Sequence, residues 1–425
     1  MRHLLLLLLI TCLAPAQDDL GSQDPKRRAR AAEQLGRQKD AQALPALRAL
    51  LKDPERGVRA EAVAAMVAIG TQHSLAPLID ATRDADPSVQ ILAVDGLVNF
   101  YYPGYVQTGW TAALKRLGSS LKGRFSEPST LVIDPYVTVA PEVVEALGRV
   151  ATGGTGMDSR ALAARAIGIL RARPAVPQLI AALQAKEKDS NVLLESLRAL
   201  EKIGDRSAGP QFEFLLRDLD QRVQVAAIDA TGQLQNRNAA PVLREVLTSS
   251  PKAPPRRAAL IALAKLGDAA SKPVFYSYLE DRDKYLRAAA AEGLARSAGA
   301  SDLDRLKKAF ASESDQSPRL SMAFALVRLD DLTYLAYLFD ALNSTFHRGE
   351  ARPFLEELAR KPNVLAALYP PLRNGSNDQK KNLAQVMAVS GTADSLPHLE
   401  ALTHDPDPEV AQAAIIAVKS LKTRL

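Results

Sequence analysis

Cysteine occurs once in the 425 residues, at position 12, and tryptophan once, at position 110. A chain with no pair of cysteines is not a disulfide-stapled scaffold, and it lacks the thiolates that cysteine-based zinc sites and thiol catalysis require. Histidine is almost as scarce, with five residues, and aromatic residues amount to 5%. Beyond the N-terminus no run approaches the eighteen apolar residues that a membrane-spanning helix needs, so a soluble or peripheral protein is expected. Positive charge is in only small surplus: 54 Lys+Arg face 48 Asp+Glu, a formal +6, which is weak for a nucleic-acid binder. What the chain does have is hydrophobic residues, 47% of it, carried by Ala and Leu instead of aromatic and β-branched types. That balance favours packed helices over sheets and predicts an all-α protein.

The first sixteen residues read as an export signal. Met1-Arg2-His3 is followed by Leu4 to Leu9 with Ile10, then by Cys12-Leu13-Ala14-Pro15-Ala16 before a polar stretch. A basic start, a short apolar run and a small-x-small ending suit a cleaved secretory signal, with cleavage expected after Ala16. The mature chain would then carry a formal +5 and no cysteine, in keeping with a periplasmic or cell-envelope location. A competing reading takes Leu9-Ile10-Thr11-Cys12 as a lipobox with Cys12 acylated, although Thr11 is a poor match for the small residue wanted there.

Repeats organise the rest. Prolines that open apolar helical stretches fall at Pro45, Pro77, Pro141, Pro177, Pro210, Pro241, Pro273 and Pro397, and the gaps from Pro45 to Pro273 are 32, 64, 36, 33, 31 and 32. Proline in the first helical turn gives up no intrahelical hydrogen bond and presets φ, so it starts a helix without breaking one. A second helix follows each, introduced by Asp53-Pro54-Glu55, Asp86-Pro87-Ser88 or Asp407-Pro408-Glu409, in which the aspartate is expected to cap free N–H groups. Behind these caps Val58, Ala62, Ala65 and Ile69, and again Val223, Ala227, Ala230 and Leu234, form one stripe at i, i+4, i+7, i+11. Gly36, Gly70, Gly204, Gly267, Gly299 and Gly391 are expected to stop the helices in left-handed C-caps.

The segment Pro45 to Gly70, and more loosely Pro177 to Gly204, resembles a HEAT repeat, most closely the variety named after phycobilisome lyases. The resemblance runs over about 24 to 422 and is weaker from 314 to 373. It implies a right-handed superhelix of antiparallel helix pairs whose concave face holds a protein or another extended ligand. One pair cannot bury its apolar face alone, so about ten to twelve units are expected to stack into one core. The recurring Asp and Arg are expected to cap helices and bridge adjacent units; an anion-binding ladder is the competing reading.

Residues 101–140 interrupt the array, which otherwise divides into 17–100 and 141–425. Because Pro77 and Pro141 lie two periods apart, a helix is expected to have been replaced there: Trp110 to Leu117 as a proline-type helix, and 118 to 140 in place of its partner. From Phe100 to Tyr136 the stretch holds seven of the 21 aromatics, and from Gly96 to Ser126 it holds no acid. Tyr101, Tyr102, Tyr105, Trp110, Arg116, Lys122, Arg124, Phe125 and Tyr136 are the candidate partner-binding residues. Aromatics beside basic groups can anchor a peptide, stack on sugars, or sit at a membrane surface through Trp110, Leu114, Leu117 and Leu121. They can equally fill the volume of an irregular segment.

No catalytic constellation emerges. His398 and His404 lie six apart across a helix end, Gly153-Gly154-Thr155-Gly156 lacks the Lys-Ser/Thr ending of a phosphate loop, and no His-Glu dipeptide of the kind used by HEAT-like hydroxylases is present. A site at the interruption would have to draw on Glu127, Asp134 or Glu142. No metal, cofactor or nucleic acid is expected. The expectation is a non-enzymatic exported scaffold that binds a protein partner, with a glycan- or membrane-binding accessory protein, or a lyase or hydrolase, as the alternatives. The basic doublets Lys26-Arg27-Arg28, Arg256-Arg257, Lys307-Lys308 and Lys380-Lys381 read as solvated helix faces. Polar Gln412, Lys419 and Lys422 on the last helix suggest a capped monomer.

Overall fold

The computed structural model describes residues 18–105, 131–297, 299 and 302–425, and among them it contains helices and no strand. The signal segment and the candidates Trp110, Arg116, Lys122, Arg124 and Phe125 lie outside the described residues. Two compact units are formed, one from Val137–Phe212 with the chain up to Ile133, the other from Glu213–Leu425 with Asp134–Tyr136.

In the first unit the α-helices are α1 (Pro25–Gln38), α2 (Leu44–Ala49), α3 (Arg56–Ile69), α4 (Leu75–Ala81), α5 (Pro87–Tyr101), α6 (Pro141–Gly153), α7 (Met157–Ile169), α8 (Val176–Leu183) and α9 (Ser190–Ile203). Helices α2, α4, α6 and α8 each precede a second helix, and the second helices form a row: α1 packs on α3, α3 on α5, α5 on α7, α7 on α9. The second unit continues with α10 (Gln221–Gln233), α11 (Ala240–Ser249), α12 (Ala253–Leu266), α13 (Lys272–Tyr278), α14 (Lys284–Ser297), α15 (Leu303–Ser312), α16 (Gln316–Arg328), α17 (Leu335–Asn343), α18 (Arg348–Leu358), α19 (Pro362–Asn374), α20 (Asn377–Ser390), α21 (Leu396–Leu402) and α22 (Pro408–Arg424). Its row runs α10, α12, α14, α16, α18, α20, α22.

The stripes read from the sequence are the core. Val223, Ala227, Ala230 and Leu234 are fully buried, as are Val58, Ala62, Ala65 and Ile69 to within a few per cent, each Val, Leu or Ile contributing about 1.5–3 kcal/mol. Pro45, Pro141, Pro177, Pro241, Pro273 and Pro397 occupy the first two positions of their helices. Pro210 does not open an α-helix: it sits inside a 3-10 stretch, Arg206–Arg217, broken at Phe212, where φ is −128°.

Recurrent aspartates and arginines join neighbouring repeats. Arg28 reaches Asp53 at 2.6 Å, Arg59 reaches Asp84 at 2.7 Å, and Arg287 reaches Glu313 at 2.6 Å, each acid side chain only 5% exposed. These carboxylates and guanidiniums neutralise one another, so the ladder is structural and not an open anion site. Asp86 and Asp407 cap their helices, accepting from Ser88 N–H and from Glu409 and Val410 N–H. Asp53 does both: it accepts from Glu55 N–H at 2.9 Å and holds Arg28 in the ladder, just ahead of a helix that begins at Arg56.

Glycine placement corrects part of the expectation. Gly70, Gly204 and Gly267 adopt the left-handed conformation, but Gly36 lies within α1 and Lys39 takes the left-handed turn at φ 52°; Gly391 has φ −63°. Gly299 is not among the positive-φ glycines either. Gly36 serves packing instead: a Cβ there would stand 2.6 Å from Ala65 Cα of α3, closer than two helices carrying side chains at that point can approach.

The interruption is also corrected. Helix α7 packs directly on α5, α6 packs on α4, and Gln90 of α5 accepts from Thr155 N–H at 3.0 Å. The Pro141 repeat is therefore the immediate neighbour of the Pro77 repeat, and 102–140 is an insertion between them; the helix expected at Trp110 to Leu117 lies outside the described residues. The insertion's length is close to one period, so proline spacing alone reads it as a degenerate repeat.

Candidate functional site

The insertion is fastened where it leaves and rejoins the repeats. Tyr101, the last residue of α5, accepts on its hydroxyl the N–H of Ala140, the residue before α6, at 3.0 Å. Its ring meets Phe100 edge-on at 5.0 Å. Tyr102 N–H closes the last turn on Val98 carbonyl at 2.8 Å, and Tyr105 N–H returns to Tyr102 carbonyl at 3.1 Å.

The returning arm of the insertion lies against the C-terminal ends of α7 and α9. Ile133 N–H donates to the carbonyl of Ile169 at 2.9 Å, satisfying one of the orphan acceptors at a helix end, and the Ile133 side chain is buried. Lys202, near the end of α9, donates from Nζ to the Leu131 carbonyl at 3.2 Å. Burial pushes the Lys202 amine down to about 8; Glu195 opposes that shift, while Arg165 and Arg198 add to it. Beneath the arm, Arg165 of α7 grips Glu195 of α9 through two bonds of 2.8 and 2.9 Å, and Arg198 adds a third at 2.7 Å. Arg165 and Glu195 are 7% and 2% exposed. A charge pair this buried stands only because each partner neutralises the other.

Farther along the arm, Val137 and Val139 form one wall of an open groove of about 410 Å³. The other walls are Val144 of α6 and Leu170, Arg171 and Arg173 of the turn between α7 and α8. Arg171 holds the left-handed conformation, φ 45°, at the position where Gly70, Gly204 and Gly267 end the corresponding helices. Gln178 of α8 also lines the groove, and its Oε1 is buried without a hydrogen-bond partner.

Of the nine candidate residues, then, the structure places Tyr101 at the fastening and Tyr102 and Tyr105 in the turns beside it. Tyr136 belongs to the second unit, donating to Asp134 at 2.9 Å, with Lys419 Nζ 5.7 Å from its ring centroid. The sequence reading missed Ile133, Lys202, Arg171 and Gln178. Arg171 shares with Lys39, Gln235 and Asp330 a turn that other repeats close with glycine, so its position gave no signal that singled it out.

The second unit has a charged cluster of its own. Arg296 binds Glu357 at 2.6 Å and Glu292 at 3.4 Å, and its guanidinium lies 5.0 Å over the Phe324 ring. Burial pushes the Glu292 carboxyl up. The paired carboxylates Glu356 and Glu357 have Arg352 and Arg296 as partners, and His398 stacks on Tyr369. Among the described residues no group of three His, Cys, Asp or Glu could hold a metal ion, and no helix is long and apolar enough to cross a membrane.

A family model for HEAT repeats matches residues 15–106, 210–295 and 243–327, and one for the PBS lyase HEAT-like repeat matches 159–185. A search of curated proteins found no match. Among solved structures, yeast importin-β (Kap95p) is similar at a TM-score of 0.50 and 12% identity, over 96% of this chain but only 56% of importin-β. An engineered protein is similar at a TM-score of 0.41 and 19% identity, over 96% of this chain and 98% of its own. The CpcE and CpcF complex of phycocyanin lyase from Nostoc gives a TM-score of 0.25 and 22% identity, over 75% of this chain and 93% of that one. Helix pairs stacked in rows, joined by the Asp–Arg ladder and matched along both units by the repeat models, make this chain a HEAT-repeat protein with a repeat of the phycobilisome-lyase type.

Proposed function

We propose that the chain is a non-enzymatic exported scaffold that binds a protein partner, with 102–140 as the element that distinguishes its surface from a plain repeat array. The observation that carries this reading is the fastening of the insertion. Tyr101 closes its base, Ile133 and Lys202 hold its returning arm, and the repeats behind it stack without a break. An inserted segment held on a rigid scaffold is a common way to present a binding surface. Export rests on the pattern of residues 1 to 16, and the lack of a catalytic constellation in the sequence supports a binding role.

The test replaces 103–139 by a short Gly-Ser linker, which the contact between Tyr101 and Ala140 makes sterically reasonable. The full chain and the deletion are used as baits in native envelope extract, with mass spectrometry of what each retains. A specific protein held by the full chain and lost by the deletion, with helical content preserved, is expected. Equal retention by both would move recognition to the repeats and overturn the role given to the insertion.

A further inference from the structure

We infer that the groove between the arm and the α7–α8 turn is a docking site for an extended segment of a partner protein that carries acidic and aliphatic side chains. The inference rests on the scaffold reading above and names the chemistry of its partner. Two observations converge. The floor and arm wall are aliphatic, from Val137, Val139, Val144 and Leu170, and the volume of about 410 Å³ accommodates a few side chains. The rim is cationic: Arg171 makes no ion pair among the described residues, and Arg173 approaches only Asp205, at 3.9 Å, whose carboxylate already accepts from Ser207 hydroxyl and N–H at 2.7 and 3.1 Å.

Lys39, Gln235 and Asp330 hold the same left-handed conformation at the corresponding turns, so the conformation of Arg171 belongs to the repeat and its side chain alone bears on the groove. Glu145 of α6 also lines the groove; Arg149 engages it at 2.7 Å, and among the described residues neither rim arginine pairs with it.

The test uses fluorescence anisotropy at low ionic strength with a labelled peptide of alternating glutamate and valine, and with its lysine-for-glutamate counterpart. The full chain should bind the glutamate peptide and not the lysine peptide. Arg171→Gly with Arg173→Gln should weaken binding at least about tenfold, as loss of two charge-assisted contacts requires, while the melting temperature holds or rises because the left-handed turn is relieved. Val139→Asp should weaken it comparably. No binding of the glutamate peptide, equal binding of both peptides, or an affinity indifferent to both variants would overturn the site. A partner from extract that is lost on deleting 103–139 but kept by the arginine variant would overturn the groove and leave the scaffold reading standing. A partner indifferent to the deletion would move recognition to the repeats and overturn both the groove and the role given to the insertion.

Discussion

Lys202 is the side chain whose energetics depend most directly on the arm. Its amine is lowered from the usual 10.5 to about 8 by burial, so between those values the unfolded chain binds more protons than the folded one. Folding stability from this group therefore rises with pH across about 8 to 10.5; below 8 both states are charged and the full cost of burying the cation is felt. Relative to Lys202→Met, the wild type is expected to gain stability between pH 7.5 and 10 in urea titrations, and a flat difference would show that Lys202 is solvated instead of lying under the arm. The Arg165–Glu195 pair behaves differently because it is neutral as a unit. Arg165→Met strands a buried carboxylate with Arg198 as its remaining partner, and is expected to cost about 3 kcal/mol, the lower end for breaking a buried pair. A loss below about 1 kcal/mol in denaturant unfolding would mean that Arg198 alone suffices.

At the level of helices, the same residue type serves two ends, and that is where sequence reasoning divided correctly from incorrectly. Proline-started helices and the Val58-Ala62-Ala65-Ile69 stripe were legible because position in a helix and period of burial are local properties of the chain. The bridging of repeats by Asp and Arg was legible because the same pairing recurs at a fixed offset. Gly36 was misread as a cap because a glycine near a helix end satisfies either a left-handed turn or a close approach, and only the neighbouring helix decides between them. Two substitutions separate those roles. Lys39→Gly should stabilise by about 0.5–1 kcal/mol through relief of the left-handed turn; Gly36→Leu should destabilise by about 1–3 kcal/mol by forcing α1 off α3. Thermal unfolding of both variants reads the pair, and the opposite order would reverse the two assignments.

Across the molecule, the insertion was visible as composition and invisible as topology. Its aromatics, and the lack of acids from Gly96 to Ser126, marked it from the sequence, but a stretch close to one period long cannot be told from a decayed repeat by counting. The packing of α7 on α5 settles it. The arm and the Arg171 groove were beyond reach for a related reason: Ile133 lies in the irregular insertion, where no apolar stripe or cap marks it as a partner of Ile169 and Lys202. Because the repeats close behind the insertion, deleting 103–139 is expected to leave cooperative helical unfolding in place. Stability should fall mainly by what Ile133 contributes, about 1.5–3 kcal/mol, as read by circular dichroism.

The most direct measurement is the affinity of the partner captured from extract, titrated against the full chain and against the 103–139 deletion under one set of conditions, with circular dichroism confirming that both are folded. The account predicts binding by the full chain and a loss of at least about tenfold, 1.4 kcal/mol, in the deletion. Equal affinity for two equally folded chains would contradict it.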